Sequence, residues 1–279
     1  MNILLLGTTG YTGSYLTQKL IKADHHVVTV NRRYPVTPSY KDYVVSDLES
    51  STEIIERIIV EEDIDALVNL VWAGSYGPNR NSRELQESNI PANMMLAKLA
   101  SKHDVHFITT GTISEYILKE NGEHTTEYGR AKSKLHEDLI DFTLKGELKF
   151  TYAVLGNVFG GVDLTNRFVI NSMSKMMDDE EIIMGTNGEQ RFYPLYIDDF
   201  TSLMTKIIEE GHTGTLVLTQ PALKLKDFLL TMKDTMESNS VVSFGENTEL
   251  TVEITPSFTP ETPLRKAINE SYKLLKEAL

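Results

Sequence analysis

Along the first half of the chain, apolar residues fall into short, nearly continuous runs separated by longer stretches where they recur at three- and four-residue intervals. The runs NILLL (2–6), HVVTV (26–30), DYVVS (42–46), ALVNLV (66–71), VHFITT (105–110) and LKFTYAVL (148–155) predict strands. Near-continuity of this kind suits strands covered on both faces of a parallel sheet. Between them, YTGSYLTQKLIKA, SSTEIIERIIVEE, ELQESNIPANMMLAKLASK and YGRAKSKLHEDLIDFTLK carry helical spacing. The alternation predicts a doubly wound α/β sheet over roughly residues 1–155.

Beyond about residue 160 the pattern loosens. A helix over 167–177, a strand EIIMG, a helix from Asp198, a strand GTLVL and a helix LKDFLLTMKDTM are expected, with Asp198 and Asp199 capping the third of these. The segment TPSFTPETPL then precedes a last amphipathic helix near 264–278. This half reads as a smaller, more irregular α/β lobe over 156–279, some of whose segments return to the first sheet.

Composition narrows the function classes. The 279 residues carry a net charge of −13, which argues against general binding of nucleic acid or of an anionic membrane. Cysteine is absent, which removes disulfides, thiolate catalysis and cysteine zinc sites. The histidines show no ligand spacing, so no metal site is expected. The apolar run ILLL is too short for a signal peptide or a bilayer span, and the expected location is cytoplasmic. DDEE (178–181) reads as a solvated turn, and Met173, Met176 and Met177 read as packing.

Two short motifs carry chemistry. GTTGYTG places Gly7, Gly10 and Gly13 between the first strand and first helix, with Thr9, Tyr11 and Thr12 among them. Such glycines allow a tight turn, close approach of a pyrophosphate and close packing of helix on strand. A glycine-rich turn without a ligand gives the same spacing. The second strand ends in Asn31, Arg32 and Arg33, where an NAD site usually presents an acid to the ribose. Guanidinium groups there attract a 2′-phosphate, so NADP(H) is favoured over NAD(H), against the alternative of arginines on a solvated loop. Tyr128 and Lys132 stand one helical turn apart, where the ammonium can favour the phenolate; a surface pair has the same spacing.

With GTTGYTG, SDL, LVNLVWAG, SNIPANMMLA, FITTGT, YGRAK, GNVFGG and RFYPLYIDDF in order, the chain resembles the extended short-chain dehydrogenases/reductases, in the branch that modifies nucleotide-activated sugars. The resemblance implies a Rossmann-type dinucleotide domain over 1–155 and a substrate lobe over 156–279. It implies that Asp47 and Leu48 border the adenine. Asn69, Leu70, Val71, Trp72 and Ala73 would line the dinucleotide site, with Asn89 as a structural hydrogen-bonder beneath it. Tyr128 would be the acid/base, Lys132 its activator and holder of a ribose hydroxyl, and Thr112 the hydroxyl that shares the substrate oxygen. Asn157 and Arg191 would contact the nucleotide diphosphate, and a homodimer would form through the helices of Asn89 and Tyr128.

Relatives that dehydrate sugars carry an Asp-Glu pair after the threonine. Here Ile113 and Ser114 follow Thr112, and Glu115 comes one place late, which disfavours a dehydratase. Gly156 stands where an arginine often precedes the asparagine motif, and TTGT replaces a serine-rich run. The expected function is an NADPH-dependent reductase of a nucleotide-linked keto-deoxysugar, 4-keto to 4-hydroxy. The alternatives are a 4-epimerase retaining NAD, which uses the same three residues, and a non-catalytic NADP-binding redox sensor.

Overall fold

The computed structural model describes residues 1–35, 39–119, 121–146, 148–162, 167–248 and 250–278. The chain forms two compact units, one of residues 1–112, 126–154 and 201–216, the other of 113–125, 155–200 and 217–279.

The first unit is built on the strands β1 (Asn2–Leu6), β2 (His26–Asn31), β3 (Lys41–Val44), β4 (Ala66–Asn69), β5 (His106–Thr112), β6 (Phe150–Leu155) and β7 (Gly214–Leu218). They lie in the order β7-β6-β5-β4-β1-β2-β3. β1 pairs in parallel with both β2 and β4, with Ile3 opposite Val27 on one side and Ala66 on the other. Strand order therefore reverses at β1, and the crevice beyond the carboxyl ends of β1 and β4 is where such sheets bind ligands. Ile3 to Leu6 are wholly buried, as their unbroken apolar run requires, while β3 at the edge is half exposed. Around the sheet run α1 (Tyr11–Lys22), α2 (Thr52–Glu61), α3 (Arg83–Glu87), α4 (Asn89–Lys102) and α5 (Glu127–Lys145).

Boundaries differ from the pattern's expectation at β4, at the break between α3 and α4 and at β5, the first two for a local reason. β4 stops at Asn69 because the Asn69 side chain accepts the Val71 N–H (3.0 Å), turning the chain away from the sheet. The helix expected over 84–102 is broken at Ser88. Pro91 has no N–H for the Glu87 carbonyl, and Asn89 Nδ2 donates to the Leu85 carbonyl (2.8 Å), so α3 ends and α4 begins. β5 runs on to Thr112, two residues past the apolar run. α5 opens at Thr126, whose hydroxyl accepts the Gly129 N–H (3.1 Å).

The second unit has the looser texture its sequence implied. Short strands pair as 157–159 with 194–196 and 182–186 with 242–247, both parallel, and 191–192 with 223–224, antiparallel. Helices α6 (Phe168–Met177), α7 (Ile197–Glu210, shared with the first unit), α8 (Leu225–Thr235) and α9 (Leu264–Ala278) complete it. Its core is aromatic: the Phe192 and Phe228 rings lie 4.4 Å apart, tilted by 40°, and Phe159 meets both Phe228 and Tyr196 at 5.9 Å. Asp198 and Asp199 lie inside the first turn of α7 rather than capping it. Asp199 Oδ1 instead accepts both the backbone N–H and the hydroxyl of Thr262 (3.2 and 2.8 Å), tying the proline-containing tail to α7. Gly156 is explained by space, since a Cβ there would sit 2.4 Å from the Tyr193 carbonyl and 2.6 Å from Thr219 Oγ1, which leaves no room for an arginine.

Buried histidine makes the first unit acid-sensitive. His106 is 7% exposed and bonds Thr151 Oγ1 (2.8 Å); burial, aided by Lys149, pushes it down to about 4 from the ordinary 6.5. The unfolded chain then takes up the proton more readily, so stability falls as pH drops from about 6.5 toward 4, by about 3 kcal/mol from this group. Urea denaturation of His106→Gln between pH 7 and 4 should show a correspondingly shallower loss. Parallel pH curves for the two proteins would remove the assignment.

Candidate active site

The loop after β1 is shaped by close backbone approach. Gly7 has φ +90°, and a Cβ on it would meet the Leu70 carbonyl carbon at 3.0 Å and the Val71 nitrogen at 3.1 Å. The loops leaving β1 and β4 are therefore in contact at the switch point. A Cβ on Gly13 would lie 2.2 Å from the Gly7 carbonyl oxygen, so α1 can rest on the loop only through a glycine. Gly10 is different. A Cβ there meets only the Gly7 oxygen, at 3.3 Å, a tight contact that a shift of a few tenths of an ångström relieves, so the protein's own packing presses less on that position than on Gly13. Gly10 is also the N-cap of α1 and offers no side chain to its first turn, which contains Tyr11, Thr12 and Gly13. A cradle less crowded at Gly10 than at Gly13 fits a dinucleotide pyrophosphate, because an anion held at a helix N-terminus takes the place of the missing cap.

Asn31 turns inward beneath this loop. Its Oδ1 accepts the Thr8 N–H (3.1 Å), and its Nδ2 donates to the hydroxyls of Thr8 (2.7 Å) and Thr29 (3.1 Å). Asn31 thus braces the segment that holds Thr8 and Thr9. Arg32 and Arg33, next along, are exposed, and among the described residues neither has an ion-pair partner. Asp47, exposed after β3, accepts the Ser50 N–H (2.8 Å) and hydroxyl (2.6 Å), which hold its carboxyl below the ordinary range and shape the turn into α2. Leu48 beside it is half buried.

The loop after β4 is held from behind by carboxamides. Asn69 Nδ2 donates to Asn93 Oδ1 (2.8 Å), which also accepts the Thr109 hydroxyl (3.0 Å). Asn93 in turn donates to the Asn89 carbonyl (2.9 Å), and Asn89 Oδ1 accepts the Ala73 N–H (2.7 Å). Gln86 completes the row, accepting the Trp72 indole N–H (2.8 Å) and donating to the Gly74 and Asn79 carbonyls (2.9 Å each). All four amide residues are buried. Gln86 and Asn93 did not stand out as site residues. Their signal was nevertheless present: Gln86, Asn89 and Asn93 recur at three and four residues on a stripe that would otherwise be apolar.

Tyr128 and Lys132 lie on the face of α5 that meets this loop. Lys132 is buried; its Nζ donates to the Thr110 carbonyl (2.6 Å) and lies 3.7 Å from the centre of the Trp72 ring. Buried cations persist when they are both hydrogen-bonded and laid on an aromatic face. Trp72 meets the Tyr128 ring edge-on, with centroids 6.1 Å apart at 75°. Thr112 is buried at the end of β5, two residues beyond the carbonyl that Lys132 binds. In the second unit, the Asn157 N–H donates to the Tyr193 carbonyl (2.6 Å), and Arg191 pairs with Glu253 (3.0 Å) at the surface. Glu115 is buried in the turn after β5. Among the described residues no group of three or more metal-ligating side chains is gathered, and no helix is long and apolar enough to cross a membrane.

This chain has recognisable relatives. It is 26% identical over 254 residues to the CDP-abequose synthase of Salmonella typhimurium, spanning 87% of this chain and 84% of that one. It is 25% identical over 170 residues to the dTDP-6-deoxy-L-talose 4-dehydrogenase (NAD(P)(+)) of Kitasatospora kifunensis, 57% of this chain and 52% of that one. The UDP-glucose 4-epimerase structure from Thermotoga maritima has the same fold, with a TM-score of 0.82 at 19% identity over 100% of this chain and 99% of that one. The model of the NAD dependent epimerase/dehydratase family matches residues 3–218, from β1 to β7, and the chain belongs to that family.

Proposed function

We propose that this chain reduces a nucleotide-linked keto-deoxysugar at C4, 4-keto to 4-hydroxy, with NADPH. The observation that carries the reading is the buried Lys132 one turn from Tyr128, both against Trp72 on the loop that leaves β4 at the switch point. Family membership supplies the dinucleotide, and two relatives carry names of deoxysugar nucleotide enzymes, one of them a 4-dehydrogenase. A dehydrogenase run in reverse is a ketoreductase.

Gly7, Gly10, Gly13 and the first turn of α1 would hold the pyrophosphate, with Asp47 and Leu48 at the adenine. Asn69 to Trp72 would line the remainder. Arg32 and Arg33 would pair with a 2′-phosphate, which is the reason for choosing NADPH. When bound, the dinucleotide supplies the hydride. Tyr128 Oη–H donates its proton to the sugar oxygen that gains negative charge, and the Thr112 hydroxyl donates a hydrogen bond to that same oxygen. Lys132 favours the phenolate left behind and holds a ribose hydroxyl. Asn157 and Arg191 of the second unit would contact the nucleotide diphosphate, which requires Arg191 to exchange Glu253 for it. The exposed Ile140 and Leu144, one turn apart on α5, suit a second copy at that helix.

Titration of the purified protein with NADPH and NADH tests the cofactor first. Preferential, exchangeable NADPH binding supports the reductase; NAD(H) retained through purification replaces it with the epimerase reading. Arg32→Gln with Arg33→Gln should raise the Kd for NADPH about tenfold and leave that for NADH nearly unchanged, an effect that shrinks as salt is added.

The glycines separate fold from ligand. Gly10→Ala should keep the thermal midpoint close to that of the parent while weakening NADPH about tenfold. Gly13→Ala should cost about 3 kcal/mol of stability before any ligand is added, because its methyl meets backbone. Equal stability losses in the two variants would contradict this difference between the two glycines.

With a panel of 4-keto nucleotide sugars, Tyr128→Phe should lower kcat for NADPH consumption by about a hundredfold or more and leave the Kd for NADPH in place. Unchanged turnover in that variant would refute the role of Tyr128.

A further inference from the structure

Tyr128 has a cation on its ring as well as one a turn along its helix. The Arg80 guanidinium carbon lies 4.8 Å from the centre of the Tyr128 ring. Arg80 sits in a single 3-10 turn, Pro78–Asn81, which Pro78 opens and in which the Arg80 N–H donates to the Gly77 carbonyl (3.2 Å). This turn and Trp72 are fastened to one side chain. Gln86 takes the Trp72 indole N–H on its Oε1 and gives its Nε2–H groups to Asn79 and Gly74. An indole N–H can only donate and a carbonyl only accept, so this orientation of the amide is the one that satisfies all three partners. A buried amide therefore fixes the two groups, Trp72 and the Arg80 turn, that lie against Tyr128.

We infer that Arg80 is a positioning residue for Tyr128: its guanidinium, laid on the phenol ring, stabilises the phenolate and holds the ring beside Trp72. The catalytic meaning of this pairing rests on the reductase reading. A guanidinium on an aromatic face is already favourable with the neutral ring, and the attraction strengthens when the phenol ionises. Partial burial of Arg80 opposes its charge, and the Tyr128 phenolate supports it. By reciprocity the guanidinium favours the phenolate equally.

Within the first unit, α3, α4, β5 and the Arg80 turn pack against α5. Their ionisable groups, with those of the first turns of α5, are few. Glu87 on α3 binds both Arg83 and Arg130, and Glu127 binds Arg130, so two carboxylates meet two guanidinium groups. Glu84 is the other acid on α3, α4 carries Lys98 and Lys102, and β5 carries His106 at its opposite end. Lys132 rests on the Trp72 face and Arg80 on the Tyr128 ring, so one cation lies on the phenol ring and another on the indole that meets it.

The test reads Tyr128 directly, in protein without dinucleotide or substrate. With tyrosine labelled at its ring carbon Cζ with carbon-13, Tyr128→Phe identifies the resonance, and its shift is followed with pH. Arg80→Gln should raise the Tyr128 midpoint by about one pH unit, which is about tenfold less phenolate at a given pH, and Arg80→Lys should restore part of it. Arg80→Met serves the same purpose if the glutamine variant fails to fold. In turnover, the phenol must be protonated to donate, so reduction is lost as pH rises through its midpoint. Arg80→Gln should move that alkaline limb upward, whereas a purely structural role would lower kcat at every pH. A Tyr128 midpoint unmoved by loss of the guanidinium overturns the inference, even in protein that binds NADPH. Failure of the parent to bind NADPH would instead overturn the reductase reading and leave a moved midpoint as support for the pairing.

Discussion

A row of buried carboxamides organises the candidate site. Gln86, Asn89 and Asn93 face the loop after β4 and satisfy, between them, backbone and side-chain groups from Asn69 to Asn79. Each amide both donates and accepts, so one side chain can fix two segments, which an apolar side chain cannot do. Removing one would leave its partners buried without a bond, at a cost of about 1–3 kcal/mol apiece. The loop so held is the one that Gly7 touches and that carries Trp72 to Lys132. The glycine loop and the Tyr128–Lys132 pair thus share a single support.

That support explains how a cation can be buried here. Lys132 is hydrogen-bonded to a strand carbonyl and covered by an indole whose own N–H is bound by Gln86. Its position depends on β5 through Thr110 and on α3 through Trp72. The ammonium is preorganised before any ligand arrives, and preorganised charge is the form of electrostatic help that costs least at the moment of reaction.

Much of this was legible in the order of residues, and the reasons for the exceptions are local. β1, its glycine loop and α1 lie where the apolar run and the Gly7–Gly10–Gly13 spacing place them, since backbone sterics at glycine are a short-range property. Tyr128 and Lys132 share a helix face because four residues make about one turn. The break at Ser88 was hidden, because a side-chain amide intercepting a carbonyl leaves no trace in hydrophobic periodicity. Asn31 reads from sequence as one of the cofactor-binding residues at the end of β2; that its amide engages Thr8 and Thr29 depends on how close β2 comes to the first loop. Gly156 looked like a lost arginine; its reason is the carbonyl of Tyr193, far along the chain. Arg80 had no sequence mark at all, since only the fold lays its turn against α5.

Trp72 has one more consequence. It is the chain's single tryptophan, and its ring touches the Lys132 ammonium while its edge meets Tyr128. The intrinsic tryptophan emission of this protein therefore originates at one spot, between the cation and the phenol. The molecule carries its own optical label where the chemistry is proposed to occur, and the colour and intensity of that light are set by the charges beside it.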